Sequence, residues 1–193
     1  AMTSKVPGTP SWDVTVARAA PIGTGHPRPS ADDIAALQYT GGTTGVPKGA
    51  MLTHRNLRAN AAQGRAWVPG LVDGDEVVYA LLPLFHAYGL TLCLTFAISI
   101  GATLVLFPRF DAQQALEAMA RRPATFLPGV PPMYQALADA ALESDTDLRS
   151  VRFAISGAMS LPTSIVDHWE AVTGGLLVEG YGMTETSPVS VGN

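Results

Sequence analysis

Between Val77 and Pro108 the chain carries no Asp, Glu, Lys or Arg, and this run limits the fold more than any other feature. A membrane-spanning helix needs about twenty apolar residues, so length alone would allow one. Pro83, His86, Gly89 and Gly101 interrupt the run, however, and Thr91, Thr95 and Ser99 lay a polar stripe at helical spacing. No transmembrane segment is expected. A better division is strand VVYALL, loop PLFHAYG, a buried helix to about Ile100, and strand ATLVLF. Near-continuous apolar strands are what a parallel sheet covered on both faces requires. Cys93 is the single cysteine and lies inside this run, so no internal disulfide can form and a buried, inert thiol in a reducing compartment is expected.

The same alternation continues downstream. DAQQALEAMARR places Ala115, Leu116, Met119 and Ala120 on one helical stripe with arginines in its last turn. PATFLPG reads as a short strand, PPMYQALADAALES as a helix opened by proline, and VRFAIS as another buried strand. LPTSIVDHWEAVTGG is a helix with Pro162 in its first turn, and LLVEGYG a strand running into a glycine turn. Strands alternating with helices through short links predict an α/β fold: a largely parallel sheet with helices on both faces, three layers in all. Residues 1–34, rich in Pro, Gly and Ser, are expected to be an extended lead-in, with Ala1 before Met2 a cloning remnant. Residues 35–193 are expected to form the α/β segment. The polar motif close to Asn193 suggests a piece of a longer protein.

A hydrophobic content of 47% against 15% charged residues leaves no sign of disorder. The formal net charge of −4 argues against nucleic acid as a partner, because no basic stripe exists to neutralise phosphates. The N-terminus has no apolar core of a secretory signal, and a cytoplasmic location is expected.

YTGGTTGVPKGAML, Tyr39 to Leu52, is the most unusual stretch. Glycine-dense chain loses much backbone entropy on ordering and packs nothing, so hydroxyls and one cation here suggest a surface that closes on an anion. The loop does not fit G-x-x-x-x-G-K-[ST], because Pro47 precedes Lys48 and Gly49 follows it, and it contains no G-x-G. Both flanks are strand-like, and the next helix starts only near Thr53, a candidate cap. A flap between two strands results, with threonine hydroxyls, glycine amides and Lys48 available to phosphate oxygens.

YTGGTTGVPKGAMLTHRNL resembles the phosphate-loop signature of the adenylate-forming (AMP-binding) superfamily, which includes the acyl-CoA synthetases. LPLFHAYGL, Leu82 to Leu90, is similar to that superfamily's acid-pocket motif, and GYGMTETSP, Gly180 to Pro188, to its adenine and magnesium motif. The three occur in the right order, and Gly41–Gly42 is closer to fatty-acyl members than to amino-acid-activating ones.

The resemblance implies part of the large N-terminal domain of an acid–thiol ligase, a long- or medium-chain fatty-acid–CoA ligase. Such an enzyme uses ATP to form an acyl-AMP with loss of pyrophosphate, then transfers the acyl group to coenzyme A. It further implies that Thr40, Gly41, Gly42, Thr43, Thr44, Gly45 and Lys48 hold the leaving phosphates, and that Tyr181, between Gly180 and Gly182, stacks on adenine. Thr184 would donate to the α-phosphate and Glu185 would hold Mg²⁺; taken alone, TETS could equally be a solvated polar turn. Gly157 and Ala158 would run beside adenine. His86, otherwise readable as a satisfied core histidine, would flank the acid, with Met159 at the pocket where many relatives carry a small residue. His26, His54 and His168 have no such support. The Thr-Gly-Asp motif, a following arginine and a C-terminal lysine expected of the superfamily do not occur after Glu185, so the segment alone is expected to be inactive. Peripheral membrane association of a longer parent stays open. A nucleotide hydrolase or kinase with an atypical loop and a non-catalytic nucleotide-binding module are the competing readings.

Overall fold

In this computed structural model, residues 8–40 and 47–193 are described. The chain divides into two units, Ala1–Ser30 and Ala31–Asn193, so the division falls at Ser30 rather than after residue 34. The first unit is not wholly extended. It holds helix α1 (Trp12–Arg18), which starts where the Ser11 hydroxyl accepts from the Val14 amide and buries no side chain. Residues 31–34 belong with the larger unit, where Arg55 pairs with Asp32 at 2.8 Å and the Arg55 amide donates to the Ala31 carbonyl.

The larger unit begins with an antiparallel hairpin, β1 (Ile34–Thr40) and β2 (Lys48–Thr53), separate from the main sheet. Helix α2 (His54–Trp67) follows directly, its first turn fixed by a reciprocal cap between Thr53 and Asn56. The main sheet contains β3 (Val77–Ala80), β4 (Thr103–Leu106), β5 (Phe126–Gly129), β6 (Phe153–Ser156), β7 (Leu176–Gly182) and β8 (Val189–Gly192). Its order is β4-β3-β5-β6-β7-β8. Every pairing is parallel except β7 with β8. This is the expected largely parallel sheet, with one short antiparallel strand that the sequence reading missed.

Side chains alternate between the two faces, as a pleated strand demands. Tyr79, Leu127, Ala154 and Leu177 enter one core with α4 (Ala112–Arg121), α5 (Pro131–Ser144) and α6 (Thr163–Thr173). Val78, Ala80, Phe126, Phe153 and Ile155 enter the other, with Val68 just after α2 and with residues 89–99. That last segment is not a plain α-helix. Gly89–Thr95 winds as a π-helix and only Phe96–Ser99 (α3) is α-helical. Cys93 is fully buried there, and burial pushes its thiol up to about 12, which makes it inert at neutral pH.

The sheet changes direction between β3 and β5. From β3 the chain passes through the π-helix and α3 to β4 on one side; from β5 it passes through α5 to β6 on the other. Pro128 has no N–H to give to a neighbour, and β3 and β5 register only at Val78–Phe126. Open α/β sheets bind ligands outside the carboxyl ends of strands at such a switch.

At the opposite end, Glu76 is buried (1% exposed) and accepts from both the Val72 amide and Arg152. Burial pushes its carboxyl up. The hydrogen bonds from Thr125, Val72 and Arg152, with the Arg152 charge, outweigh that and hold it below the ordinary value of 4.5. A carboxylate whose folded value is depressed adds stability that is complete above its unfolded value and is lost as pH falls through the folded one. The thermal midpoint of the wild type should therefore fall on acidification below about pH 4.5. Glu76→Gln should lose about 2 kcal/mol at neutral pH and show a shallower acid limb; equal acid limbs for both proteins would refute the linkage.

Candidate active site

Four chain segments meet beyond the carboxyl ends of the central strands. They are the end of β1, the loop after β3, the turn after β6, and the β7–β8 hairpin. Together they line a cleft of about 380 Å³ whose walls include Thr40, His86, Tyr88, Gly157, Ala158, Gly180, Tyr181, Gly182, Thr184, Glu185 and Val189. Nine of the residues singled out in the sequence are thus brought to one place.

The floor is polar underneath and apolar above. The buried Tyr88 hydroxyl donates to the Ile155 carbonyl at 2.6 Å, with the Gly129 carbonyl at 3.2 Å. Tyr134 donates to the same Ile155 carbonyl at 2.7 Å. Burial pushes the pKa of both phenols well up, so they stay protonated and remain donors. Gly157 follows where the Tyr88 ring leaves no room: a Cβ there would lie 3.1 Å from that ring. Ala158 then takes a left-handed conformation (φ 66°), uncommon for a residue with a side chain.

Gly180 and Gly182 lie in β7 rather than in a turn, and neither has positive φ. They are set by close approach. A Cβ on Gly180 would fall 2.9 Å from Ile155 Cδ1, and one on Gly182 would fall 2.2 Å from the Pro188 carbonyl. Tyr181 between them is 61% exposed and faces Val191 across the hairpin.

The segment Thr184–Thr186 makes one 3₁₀ turn, with Glu185 exposed at the rim. The Thr186 hydroxyl donates to the Met183 carbonyl at 2.9 Å and also meets that of Pro188. Two buried side chains hold the next residues: Thr91, which the sequence shows only as part of a polar stripe, and Asn60, which it does not single out. Thr91 of the π-helix donates to the Ser187 carbonyl at 2.9 Å, and Asn60 of α2 bonds both backbone groups of Val189. No local pattern marks the partner of either, because each acts on residues distant in sequence.

His86 is exposed in the cleft. Its Nδ1 accepts from the Tyr88 amide at 3.2 Å, which puts the proton of a neutral ring on Nε2. Met159 does not join it; with Ala158, Glu179 and Tyr181 it lines a neighbouring recess. Glu179 is another residue not singled out in the sequence, and its Oε1 accepts from the Leu161 amide at 2.9 Å, fixing the loop after β6. Lys48 is exposed at the start of β2, opposite Thr40, whose hydroxyl donates to the Lys48 carbonyl at 3.3 Å. Gly41, Gly42, Thr43, Thr44 and Gly45 lie outside the described residues. Among the described residues no three His, Cys, Asp or Glu side chains converge as a metal cluster, and no helix is long and apolar enough to cross a membrane.

Residues 4–193 match the family model described as AMP-binding enzyme. The chain is 44% identical over 161 residues to a long-chain-fatty-acid–CoA ligase of Bacillus subtilis (strain 168), covering 83% of this chain and 29% of that protein. It is 41% identical to 4-coumarate–CoA ligase 1 of Oryza sativa subsp. japonica, covering 82% and 28%. A solved benzoate CoA ligase from Burkholderia xenovorans LB400 superposes with a TM-score of 0.82 at 28% identity, over 98% of this chain and 37% of that one. The chain thus spans less than a third of the length of these curated relatives.

The Gly182 contact gives a direct test of how the cleft is built. Gly182→Ala must push the Pro188 segment away from β7, which should cost at least about 2 kcal/mol by overpacking. A thermal midpoint equal to that of wild type would show that the hairpin is looser than described.

Proposed function

Because the chain belongs to the AMP-binding enzyme family, we propose that it is the nucleotide-binding part of an ATP-dependent ligase that activates a carboxylic acid and passes it to coenzyme A. The observation that carries this reading is the meeting, in one cleft, of Thr40, His86, the Gly157–Ala158 turn, Tyr181, Thr184 and Glu185. These residue types divide into an anion-binding set, an aromatic platform and an apolar wall. Fatty acids are the acid class we favour. Tyr88, Ile155, Pro188 and Val189 give the cleft an apolar side, and fatty-acid ligases are among the similar proteins.

In the first step a carboxylate oxygen attacks the α-phosphorus of ATP, the bond from that phosphorus to the bridging oxygen breaks, and pyrophosphate leaves. The protein's part is alignment and charge compensation. Thr40, Thr43, Thr44 and Lys48 hold the departing phosphates, with Gly41, Gly42 and Gly45 letting the backbone approach. Thr184 donates to the α-phosphate. Tyr181 stacks on adenine, Gly157 and Ala158 border it, and the second carboxylate oxygen of Glu179 accepts from the adenine amine. Nε2 of His86 faces the reacting carboxylate, with Met159 shaping the recess beside it. In the second step a thiol attacks the acyl carbon, loses its proton, and AMP leaves.

A single exposed carboxylate beside hydroxyls suits Mg²⁺, which keeps several waters and takes phosphate oxygens instead of a full protein cage. Glu185 would hold it, and when bound the ion would offset charge on the pyrophosphate. The deciding experiment is product analysis on the full-length protein with ATP and a panel of carboxylic acids. Acid-dependent release of pyrophosphate supports the reading; release of inorganic phosphate without an acid overturns it.

Two substitutions test the residue roles. Lys48→Ala removes a charge-assisted contact of about 1.5–3 kcal/mol, so acid-dependent adenylation should fall roughly ten- to a hundredfold. AMP binding should stay unchanged, since AMP lacks the outer phosphates; equal loss of AMP affinity would move Lys48 out of this role.

Glu185→Gln keeps size and reach but removes the charge a hard cation needs. Adenylation should drop and recover in part as Mg²⁺ is raised, while thioester formation from supplied acyl-adenylate should suffer much less. Equal loss in both half-reactions, without Mg²⁺ dependence, would remove the metal assignment.

A further inference from the structure

The loop that carries His86 runs straight into the π-helix, where the Leu90 amide donates to the His86 carbonyl at 2.9 Å. Tyr88, at the start of that helix, packs its ring against Gly157. Further along, Thr91 is buried (1% exposed). Its carbonyl accepts from the Phe96 amide, which completes the π-winding, and its hydroxyl donates at 2.9 Å to the Ser187 carbonyl. Winding of this kind is rare and is found often at functional sites.

Ser187 closes the turn that bears Thr184 and Glu185. Its amide donates to the Thr184 carbonyl at 3.2 Å. Its φ of 78° is left-handed, a conformation that a residue with a side chain keeps only where its surroundings hold it. Thr91 supplies that hold from outside the turn, so a single residue separates it from Thr184. Asn60 grips Val189 from α2, but among the described residues α2 lends no side chain to the cleft. The π-helix does join two of its walls. His86 and Tyr88 stand on one, Thr184 and Glu185 on the other.

We infer that Thr91 is a positioning residue for the adenylation step. Through the Ser187 carbonyl it fixes the separation between the wall that faces the acid and the turn that faces the α-phosphate. The inference rests on the reading of the cleft as the acid-activating site. In that step a carboxylate oxygen takes the place of pyrophosphate on the α-phosphorus. The two reactants are still separate molecules, and a misplacement of about 1 Å can cost roughly a hundredfold in rate. In the acyl-adenylate, acyl group and phosphate are joined by their own covalent bonds. Their alignment no longer depends on the helix, and transfer to the thiol needs Thr91 little.

The test measures the two half-reactions separately in the full-length protein. Octanoate, hexadecanoate and 4-coumarate are the probes, and the one that the wild type turns over fastest is used throughout. Thr91→Val keeps the shape of the side chain and removes the donor. Acid-dependent pyrophosphate release should fall about tenfold or more. Thioester formation from supplied acyl-adenylate and coenzyme A should stay within about twofold of wild type. Thr91→Ser restores the hydroxyl and should recover adenylation. Thr91→Ala carries the same comparison should the valine variant not fold.

Equal loss in both half-reactions would mark a residue that only holds the fold, and overturns the inference. Adenylation at the wild-type rate in the valine variant does the same, as does a serine variant as slow as the valine one. A wild type that releases no pyrophosphate with any of the acids would instead bring down the reading of the cleft, and the inference with it.

Discussion

Much of this molecule hangs on the carbonyl oxygen of Ile155. Two tyrosine hydroxyls converge on it, Tyr88 from the loop after β3 and Tyr134 from α5. Those residues come from opposite faces of the sheet, and the carbonyl lies near the carboxyl end of β6. Where β3 and β5 cease to pair beyond Val78–Phe126, polar backbone would otherwise be left bare in an apolar interior, at a cost of about 1–3 kcal/mol for each orphaned group. The phenols fill that place with donors. They also set the level from which the cleft rises, since Gly157 packs against the Tyr88 ring and the turn through Ala158 starts there.

A second layer of order comes from side chains that reach across large sequence separations. Thr91 and Asn60 grip Ser187 and Val189, on either side of Pro188. The hairpin carrying Tyr181, Thr184 and Glu185 is therefore anchored to the π-helix on one side and α2 on the other. Local turn hydrogen bonds alone would leave so short a segment free to open. At the far end of the sheet, Glu76 and Arg152 join the approach to β3 to that of β6. The strands are thus tied at both ends, and the cleft sits at the end tied by neutral groups.

How much of this was legible depended on whether the determining forces were local. Apolar periodicity showed the α/β alternation, and the Thr53 cap and the proline openings of α5 and α6 were visible because caps act within one turn. The π-helix was not visible. Gly89–Thr95 has the composition of any buried helix, and its winding follows from tertiary contacts such as the one Thr91 makes. Strand β8, reading VSVG, is too short and too polar to declare itself, and exists because β7 offers it an edge. The glycines of GYG were read as a turn; their cause is crowding by Ile155 and Pro188, which only the folded chain creates. His86, Tyr181, Thr184 and Glu185 stand out through motif resemblance, whereas Asn60 and Glu179 lie outside any motif, and Thr91, visible as part of a polar stripe, shows its partner only in three dimensions.

The cleft is built of two materials. Around Tyr181 its walls are largely main chain, at Gly157, Ala158, Gly180 and Gly182, where added carbons would meet neighbouring atoms or strain the backbone. Around Val189 they are side chains, among them those of His86, Tyr88 and Pro188. Inheritance acts differently on the two. A single base change can exchange an exposed side chain such as His86 on the second wall and leave the first untouched, whereas an added carbon at Gly182 on the first would meet the Pro188 main chain. A lineage with this architecture can therefore reshape the wall around Val189 by ordinary point mutation while the wall around Tyr181 keeps its form.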